Sequence, residues 1–284
     1  MAQDIQPITD RQRNAAATFR ALHEQGIFVL PNAWDAVSAA VIARAGAPAI
    51  ATTSAGVAWS LGTGDGQQLT RDDSIGVIRR IAAVVDVPVT ADVEGGYGPA
   101  PEDVAATILA AVSAGAVGVN LEDSTAPGGP LFDTAAQADR LRAAREAAQQ
   151  AGLPELVINA RTDVYLFGIG APEGRFDDVL TRAAAYAAAG ADSLFVPGLL
   201  DLPTLTELVA ESPLPINVMA GAGAPSVAEL AAAGVRRVSV GSAVAQAAFK
   251  LAETATIELL EHGTYTALDN ALDYGAVQGL LTQR

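Results

Sequence analysis

The chain contains no cysteine, which excludes a disulfide framework, a thiolate metal site and a cysteine nucleophile. Histidine is almost absent as well: His23 and His262 both stand away from the ends of the apolar runs and read as packing or surface residues. Positive charge is scarce, with 17 Lys and Arg against 32 Asp and Glu, a formal net charge of −15. Such a field repels phosphate backbones and anionic lipid, so neither nucleic acid nor a membrane is an expected partner. No stretch approaches the ~18 unbroken apolar residues of a membrane span. Residues 1–19 are polar and hold no apolar run of signal-peptide length, so a soluble, cytoplasmic protein is expected. Linkers, low-complexity tracts and charge runs are missing too, which leaves one domain over 1–284.

What the chain does have is small and apolar. Half of its 284 residues are hydrophobic and only 17% are charged, with 27 glycines, which suits a large layered core. Short apolar runs occur at 28–30, 49–53, 88–93, 118–121, 156–160, 193–196, 216–219 and 238–240. They are nearly continuous in hydrophobicity, as parallel strands buried on both faces are. Ala-rich helical stretches separate them, and several end in the same punctuation, Ala45-Gly46-Ala47, Ala114-Gly115-Ala116, Ala189-Gly190-Ala191 and Ala233-Gly234-Val235. Glycine there suits a left-handed residue that closes a helix. Strand and helix alternating eight times predicts an α/β fold, a (β/α)8 TIM barrel, in preference to an open sheet. An extra N-terminal helix over 11–25 is placed to plug the barrel floor. An extra C-terminal helix over 264–281 is left with an apolar face suited to a homo-oligomer contact.

In such a barrel the chemistry sits at the C-terminal ends of the strands. The third run ends in Asp92-Val93-Glu94, the fourth in Glu122-Asp123 and the fifth in Arg161-Thr162-Asp163, while Asp65 lies in the loop after the second. Residues two apart on a strand share a face, so Asp92 and Glu94 point the same way, and Glu122 joins them from the next strand. Carboxylates this crowded repel one another unless a cation lies among them. Oxygen donors without His or Cys suit a hard ion, Mg²⁺ with Mn²⁺ as a substitute. Arg161 can act as a forked donor to an anionic substrate or as an ion-pair partner of Glu122.

The stretch Ala91-Asp92-Val93-Glu94-Gly95-Gly96-Tyr97-Gly98 resembles a signature of the isocitrate lyase and phosphoenolpyruvate mutase superfamily. The likeness extends in order through Pro31-Asn32-Ala33-Trp34-Asp35-Ala36, Thr52-Thr53-Ser54-Ala55-Gly56, Leu61-Gly62-Thr63-Gly64-Asp65, Asn120-Leu121-Glu122-Asp123 and Asn159-Ala160-Arg161-Thr162-Asp163. The resemblance implies Mg²⁺ bound directly by Asp92, with Asp65, Glu94 and Glu122 in the water-linked surroundings. It implies a small 2-oxo acid whose carboxylate meets Thr53, Ser54 and Ala55 and is neutralised by Arg161. Trp34, beside the first strand, reads either as a substrate-binding residue lining the pocket or as part of the core. Asp65, Glu122 and Arg161 are then the catalytic candidates, and the assembly is a homo-oligomer, a tetramer by resemblance.

The match breaks at one loop. Lyases of the family carry Lys-Arg-Cys-Gly-His after the fourth strand, with the cysteine as proton donor and acceptor; here the loop reads Ser124-Thr125-Ala126-Pro127-Gly128-Gly129-Pro130-Leu131. Phosphonomutases place an asparagine there, and none occurs between Ser124 and Thr134. The expected reaction is Mg²⁺-dependent cleavage of a carbon–carbon bond in a small 2-oxo or 2-hydroxy (di)carboxylic acid through an enolate, with carbon–phosphorus chemistry as the alternative. Glycine turns at Ala220-Gly221-Ala222-Gly223 and Gly241-Ser242 keep a phosphate-binding barrel open, and a catalytically silent metabolite-binding barrel is a further alternative. The loop over 124–134 is expected to be an irregular gate.

Overall fold

The computed structural model describes residues 7–282. All of its strands run parallel in one ring: β1 (Phe28–Leu30), β2 (Asn32–Ala33), β3 (Ile50–Thr52), β4 (Val89–Asp92), β5 (Gly118–Glu122), β6 (Val157–Arg161), β7 (Ser193–Phe195), β8 (Ile216–Met219) and β9 (Arg237–Ser239). The nine make an eight-staved barrel because β1 and β2 are one stave interrupted at Pro31. β1 pairs with β9 and β2 with β3, so this stave closes the ring. Proline has no N–H to give the ladder, and the break falls where the stave passes from one neighbour to the other. The open-sheet alternative is thereby settled in favour of the barrel, and each apolar run of the sequence is found as a strand, shifted by a residue or two.

Helices α1 (Asp10–Leu22), α2 (Ala36–Arg44), α3 (Ser54–Ser60), α4 (Arg71–Val84), α5 (Pro101–Ser113), α6 (Thr134–Gln150), α7 (Arg175–Ala188), α8 (Leu202–Glu211), α9 (Val227–Ala232), α10 (Ala243–His262) and α11 (Tyr274–Thr282) surround the strands. On α5 the buried positions Val104, Thr107, Ile108, Ala111 and Val112 form one stripe facing the barrel. Pro101 opens that helix, where a missing N–H costs nothing, and Gly115 lies just beyond its last cap at φ +103°. A Cβ on Gly115 would also lie 2.9 Å from that of Ala82, so both conformation and space require glycine.

The predicted floor plug is present. Phe19 of α1 is fully buried and its ring fills the space where a Cβ on Gly118 would otherwise project, at 2.6 Å. His23 packs edge-on against Phe19 and Phe28, as a packing histidine should.

The C-terminal expectation needs correction. Residues 264–281 are not one helix: α10 ends at Gly263, φ +65°, and a 3-10 turn, Thr266–Leu268, precedes the separate α11. The Glu258 carboxylate takes the hydroxyls of Thr264 and Thr266 and the N–H groups of Thr266 and Ala267, which turns the chain back on α10. The bare apolar surface lies mainly on α10 and the turn. In that 20-residue helix only Ala245 and Ala255 are buried, while Leu260 is 82% and Tyr265 66% exposed.

Candidate active site

Asp92 stands at the end of β4, inside the mouth. Its backbone N–H donates to Thr52 Oγ1 (2.7 Å), and its carboxylate accepts the N–H of Ser54 (3.2 Å) and of Glu94 (3.2 Å). Ser54 is the first residue of α3 and Thr53 its cap, so the start of that helix faces the carboxylate. Thr53 is buried, while Ser54 and Ala55 are half-buried on the same rim.

Glu94 is buried, and its backbone sits at φ +50°, with Tyr97 at +59° and Gln67 at +57°. These are the non-glycine residues at positive φ among those described, and they form one bonded unit. The Gln67 N–H and the Tyr97 hydroxyl (3.2 Å) both donate to the Glu94 carboxylate, and the Tyr97 N–H donates to Gln67 Oε1 (2.9 Å). Strain of this kind persists only where surrounding structure over-determines it. Arg140, itself buried, supplies that constraint by donating to the carbonyls of Gly95, Gly98 (2.8 Å) and Pro99 (2.7 Å). Asp65 is exposed in the loop leading to Gln67.

Across the mouth, the Arg161 guanidinium meets Glu122 Oε2 at 2.9 Å and grips Asp163 with two bonds, 2.6 and 3.1 Å. The ion pair with Glu122 foreseen as one role of Arg161 is therefore formed. Burial opposes the arginine's charge, but Glu122, Asp163 and Asp92 hold it protonated above its usual range. Burial pushes the Glu122 carboxyl up to about 8 against the pull of Arg161, with Asp163, Asp92 and Glu94 adding to the rise. Glu94 is lifted to about 7 by burial first and by Asp92 second. Burial also raises Asp92, opposed by Arg161 and by its two backbone donors.

These are carboxylates held out of water and facing one another, with one guanidinium among them, and a hard divalent cation fits that donor set. Among the described residues no three acidic or histidine side chains close into a ready cage. An ion here would accordingly be held by one or two carboxylates and completed by waters, the habit of Mg²⁺.

The loop after β5 is more ordered than its Pro and Gly content suggests. Ser124 bridges to Leu131, the Thr125 N–H and hydroxyl both donate to the Pro130 carbonyl (3.0 and 2.7 Å), and the Ser124 hydroxyl donates to Asp163. Its tip meets the Asp65 loop: a Cβ on Gly66 would fall 2.1 Å from Pro127 Cγ. Behind the loop, the fully buried Asp123 takes Arg182 Nη1 (3.0 Å), the Tyr186 hydroxyl (2.8 Å) and the Asp163 N–H (3.1 Å). Gln67, Ser124, Asp163, Arg140, Arg182 and Tyr186 were outside the candidate set drawn from sequence: Asp163 stands in a strand-end segment but was given no role, and strand-end position does not single out the others as anchors.

Trp34 follows β2 and is half-buried, its Cβ against Gly56 and its ring 6.3 Å from Phe249. The glycine turn after β8 is a local one, closed by the Ala224 N–H on the Gly221 carbonyl (3.1 Å), and Gly241 packs on Met219.

A barrel whose strand ends gather acidic side chains and one arginine has the layout of a barrel enzyme's active site, and comparison with known proteins gives it a family. Residues 19–260 match the family model described as phosphoenolpyruvate phosphomutase, and the chain belongs to that family, within the isocitrate lyase and phosphoenolpyruvate mutase superfamily. It is 34% identical over 208 residues to the 2-methylisocitrate lyase of Salmonella typhimurium, covering 70% of this chain and 68% of that one. Among solved structures it resembles a candidate lyase/mutase from Burkholderia cenocepacia J2315, with TM-score 0.88, 40% identity and coverage of 95% and 96% of the two chains. A candidate phosphonomutase from the same organism gives TM-score 0.82 and 48% identity, over 86% of this chain and 99% of that one.

Proposed function

We propose that this chain is a Mg²⁺-dependent lyase that cleaves a carbon–carbon bond in a small 2-oxo or 2-hydroxy acid through an enolate. The observation that carries the reading is the juxtaposition of Asp92, Glu94 and Glu122 with Arg161 in one buried mouth. In this reading Asp92 would ligate the metal ion directly, and Glu94, Glu122 and Asp65 would hold it through water. The ion, when bound, supplies a Lewis acid where negative charge develops on the enolate oxygen. Thr53, Ser54 and Ala55 orient the substrate carboxylate. Arg161 neutralises it, exchanging part of its grip on Glu122 and Asp163 for the substrate. The loop from Ser124 to Leu131 closes over the Asp65 loop and keeps water from the enolate.

A second reading, carbon–phosphorus chemistry, is favoured by the 48% identity to the candidate phosphonomutase. A screen of 2-oxo, 2-hydroxy and phosphono acids for release of a 2-oxo acid separates the two. The mechanistic test is oxalate, a planar dianion that mimics the enolate. It should inhibit competitively with Mg²⁺ present and lose that effect in Arg161→Ala, while Asp92→Asn weakens metal binding more than Glu94→Gln. Oxalate binding no better than acetate in saturating Mg²⁺ would refute the enolate.

A further inference from the structure

The mouth is chemically two-sided. In a parallel barrel, residues in lateral register, and those two apart along a strand, share a face. Glu122, Arg161, Phe195 and Asn217 are in register across β5, β6, β7 and β8, and Met219 lies two beyond Asn217. The interior therefore shows Asp92, Glu94, Glu122, Arg161 and Asp163 on one half and Phe195, Pro197, Met219, Gly241 and Trp34 on the other, where the polar Asn217 and Ser239 are buried and bonded to backbone carbonyls. The packing agrees, since Phe195 lies under the Arg161 guanidinium at 5.8 Å and Met219 Sδ lies where a Cβ on Gly241 would reach, at 2.7 Å.

Most cations elsewhere at this end of the barrel are already engaged among the described residues. Arg140 and Arg175 each hold three backbone carbonyls and Arg182 holds Asp123, while Arg71, at the start of α4, lies 3.5 Å from the exposed carboxylate of its neighbour Asp72 with its Nε otherwise unbonded. Arg237 also faces the interior, in register with Asn217: its Nη2 donates to Asn120 and its Nε and Nη1 have no hydrogen-bond partner, but the guanidinium is turned onto the Phe19 ring of the floor and is 1% exposed, out of reach of a ligand in the mouth. Asn217 is itself fully engaged, donating to the carbonyls of Val218 and Arg237 and accepting from Asn159.

One anionic head can be matched in this mouth by Arg161 and a divalent ion. A second carboxylate reaching the apolar half would be desolvated without a partner beside a ring of acids, which costs far more than it returns. Resting on the 2-oxo acid reading above, we infer that the substrate carries a single carboxylate and that the fragment beyond the 2-oxo acid head is neutral and apolar, seated on Phe195, Pro197, Met219 and Trp34. This narrows the (di)carboxylic class to monocarboxylates, and a phosphonate tail is disfavoured for the same reason.

The test compares two five-carbon ligands that differ at the distal end, 2-oxopentanoate and 2-oxoglutarate, by titration calorimetry on the intact protein in saturating Mg²⁺, with oxalate as the head-group control. The apolar tail should bind at least about tenfold tighter, the discrimination expected when a charged group must enter an unpaired apolar pocket. Met219→Arg, which adds a cation to the apolar half, should reverse the order while leaving oxalate binding in place. If 2-oxoglutarate binds wild type as tightly as 2-oxopentanoate or tighter, the inference is overturned and the enolate reading stands. If oxalate binds and neither 2-oxo acid does, the apolar seat is wrong. If none of the three binds, the 2-oxo acid reading fails and takes this one with it.

Discussion

Lowering the pH should destabilise this protein through one residue far from the acidic mouth. His23 donates from Nδ1 to the Phe19 carbonyl at 2.9 Å, is enclosed by the Phe19 and Phe28 rings, and leaves Nε2 buried without a hydrogen-bond partner. A second proton would have to go on Nε2. Burial first, and then the charges of Arg237, Arg20 and Arg236, lower its pKa from 6.5 to about 4 despite the Phe19 carbonyl. The folded state thus binds fewer protons than the unfolded one between about pH 4 and 6.5, so stability rises with pH across that window and falls as pH drops through it. Linkage over a shift of this size gives a loss of about 2.5 kcal/mol between pH 7.5 and 4.5. Other groups titrate there too, so the measurement is a double difference: urea-unfolding free energies of wild type and His23→Leu at both pH values. The variant sacrifices packing equally at each pH and should lack the histidine's share of the pH dependence. Parallel pH profiles for the two proteins would refute the account of His23 as a buried neutral base.

Two further outcomes are expected. The loop from Ser124 to Thr134, bridged at its base and meeting the Asp65 loop through Pro127 at its tip, should be cut by protease in the free protein and protected by Mg²⁺ with oxalate; identical cleavage in both states would remove it as a gate. The apolar surface of α10, with Leu251 at 51% and Leu260 at 82% exposed, should be covered in a homo-oligomer, read as a tetramer. Light scattering at micromolar concentration measures this, truncation after Gly263 should weaken the assembly, and a monomer for the intact chain would end the idea.

The barrel was legible because each buried parallel strand leaves a nearly continuous apolar run and several helices, α2, α5, α7 and α9 among them, are followed by a glycine at positive φ. The interruption at Pro31 was not, since a stave that changes neighbours midway differs from an ordinary strand only in its pairing. The C-terminal break was missed for a related reason: apolar periodicity continues through Thr266–Leu268, and the turn is dictated by a single carboxylate, Glu258, gathering hydroxyls and N–H groups up to nine residues ahead. At the site, Asp92, Glu94, Glu122 and Arg161 could be found because strand ends are predictable places. Their anchors could not. Gln67 reaches Glu94 through a backbone N–H, and Arg182 reaches Asp123 across 59 residues of chain.

Those anchors bear on how the mouth can hold like charges at all. Glu94 is raised chiefly because it is buried and next because Asp92 is near, so left alone it would swing toward water or take a proton. It is prevented from swinging by its own backbone. A residue at φ +50° is costly, of order 1–2 kcal/mol for a side chain with a Cβ, and Gln67 and Tyr97 add two more such residues to the same bonded unit. The segment that follows Glu94 is fastened on two sides. Arg140 holds the carbonyls of Gly95, Gly98 and Pro99, and Thr107 donates to that of Gly96 at 2.8 Å. Charge-assisted bonds to buried carbonyls are among the stronger hydrogen bonds available, which is how an arginine that touches no carboxylate at the mouth can offset the strain. The division of labour follows from electrostatics. A side-chain cation placed directly between Asp92 and Glu94 would relieve their repulsion and, on the proposed reading, take the metal ion's place; placed behind the loop, on carbonyl oxygens, it fixes the geometry and leaves room for that ion.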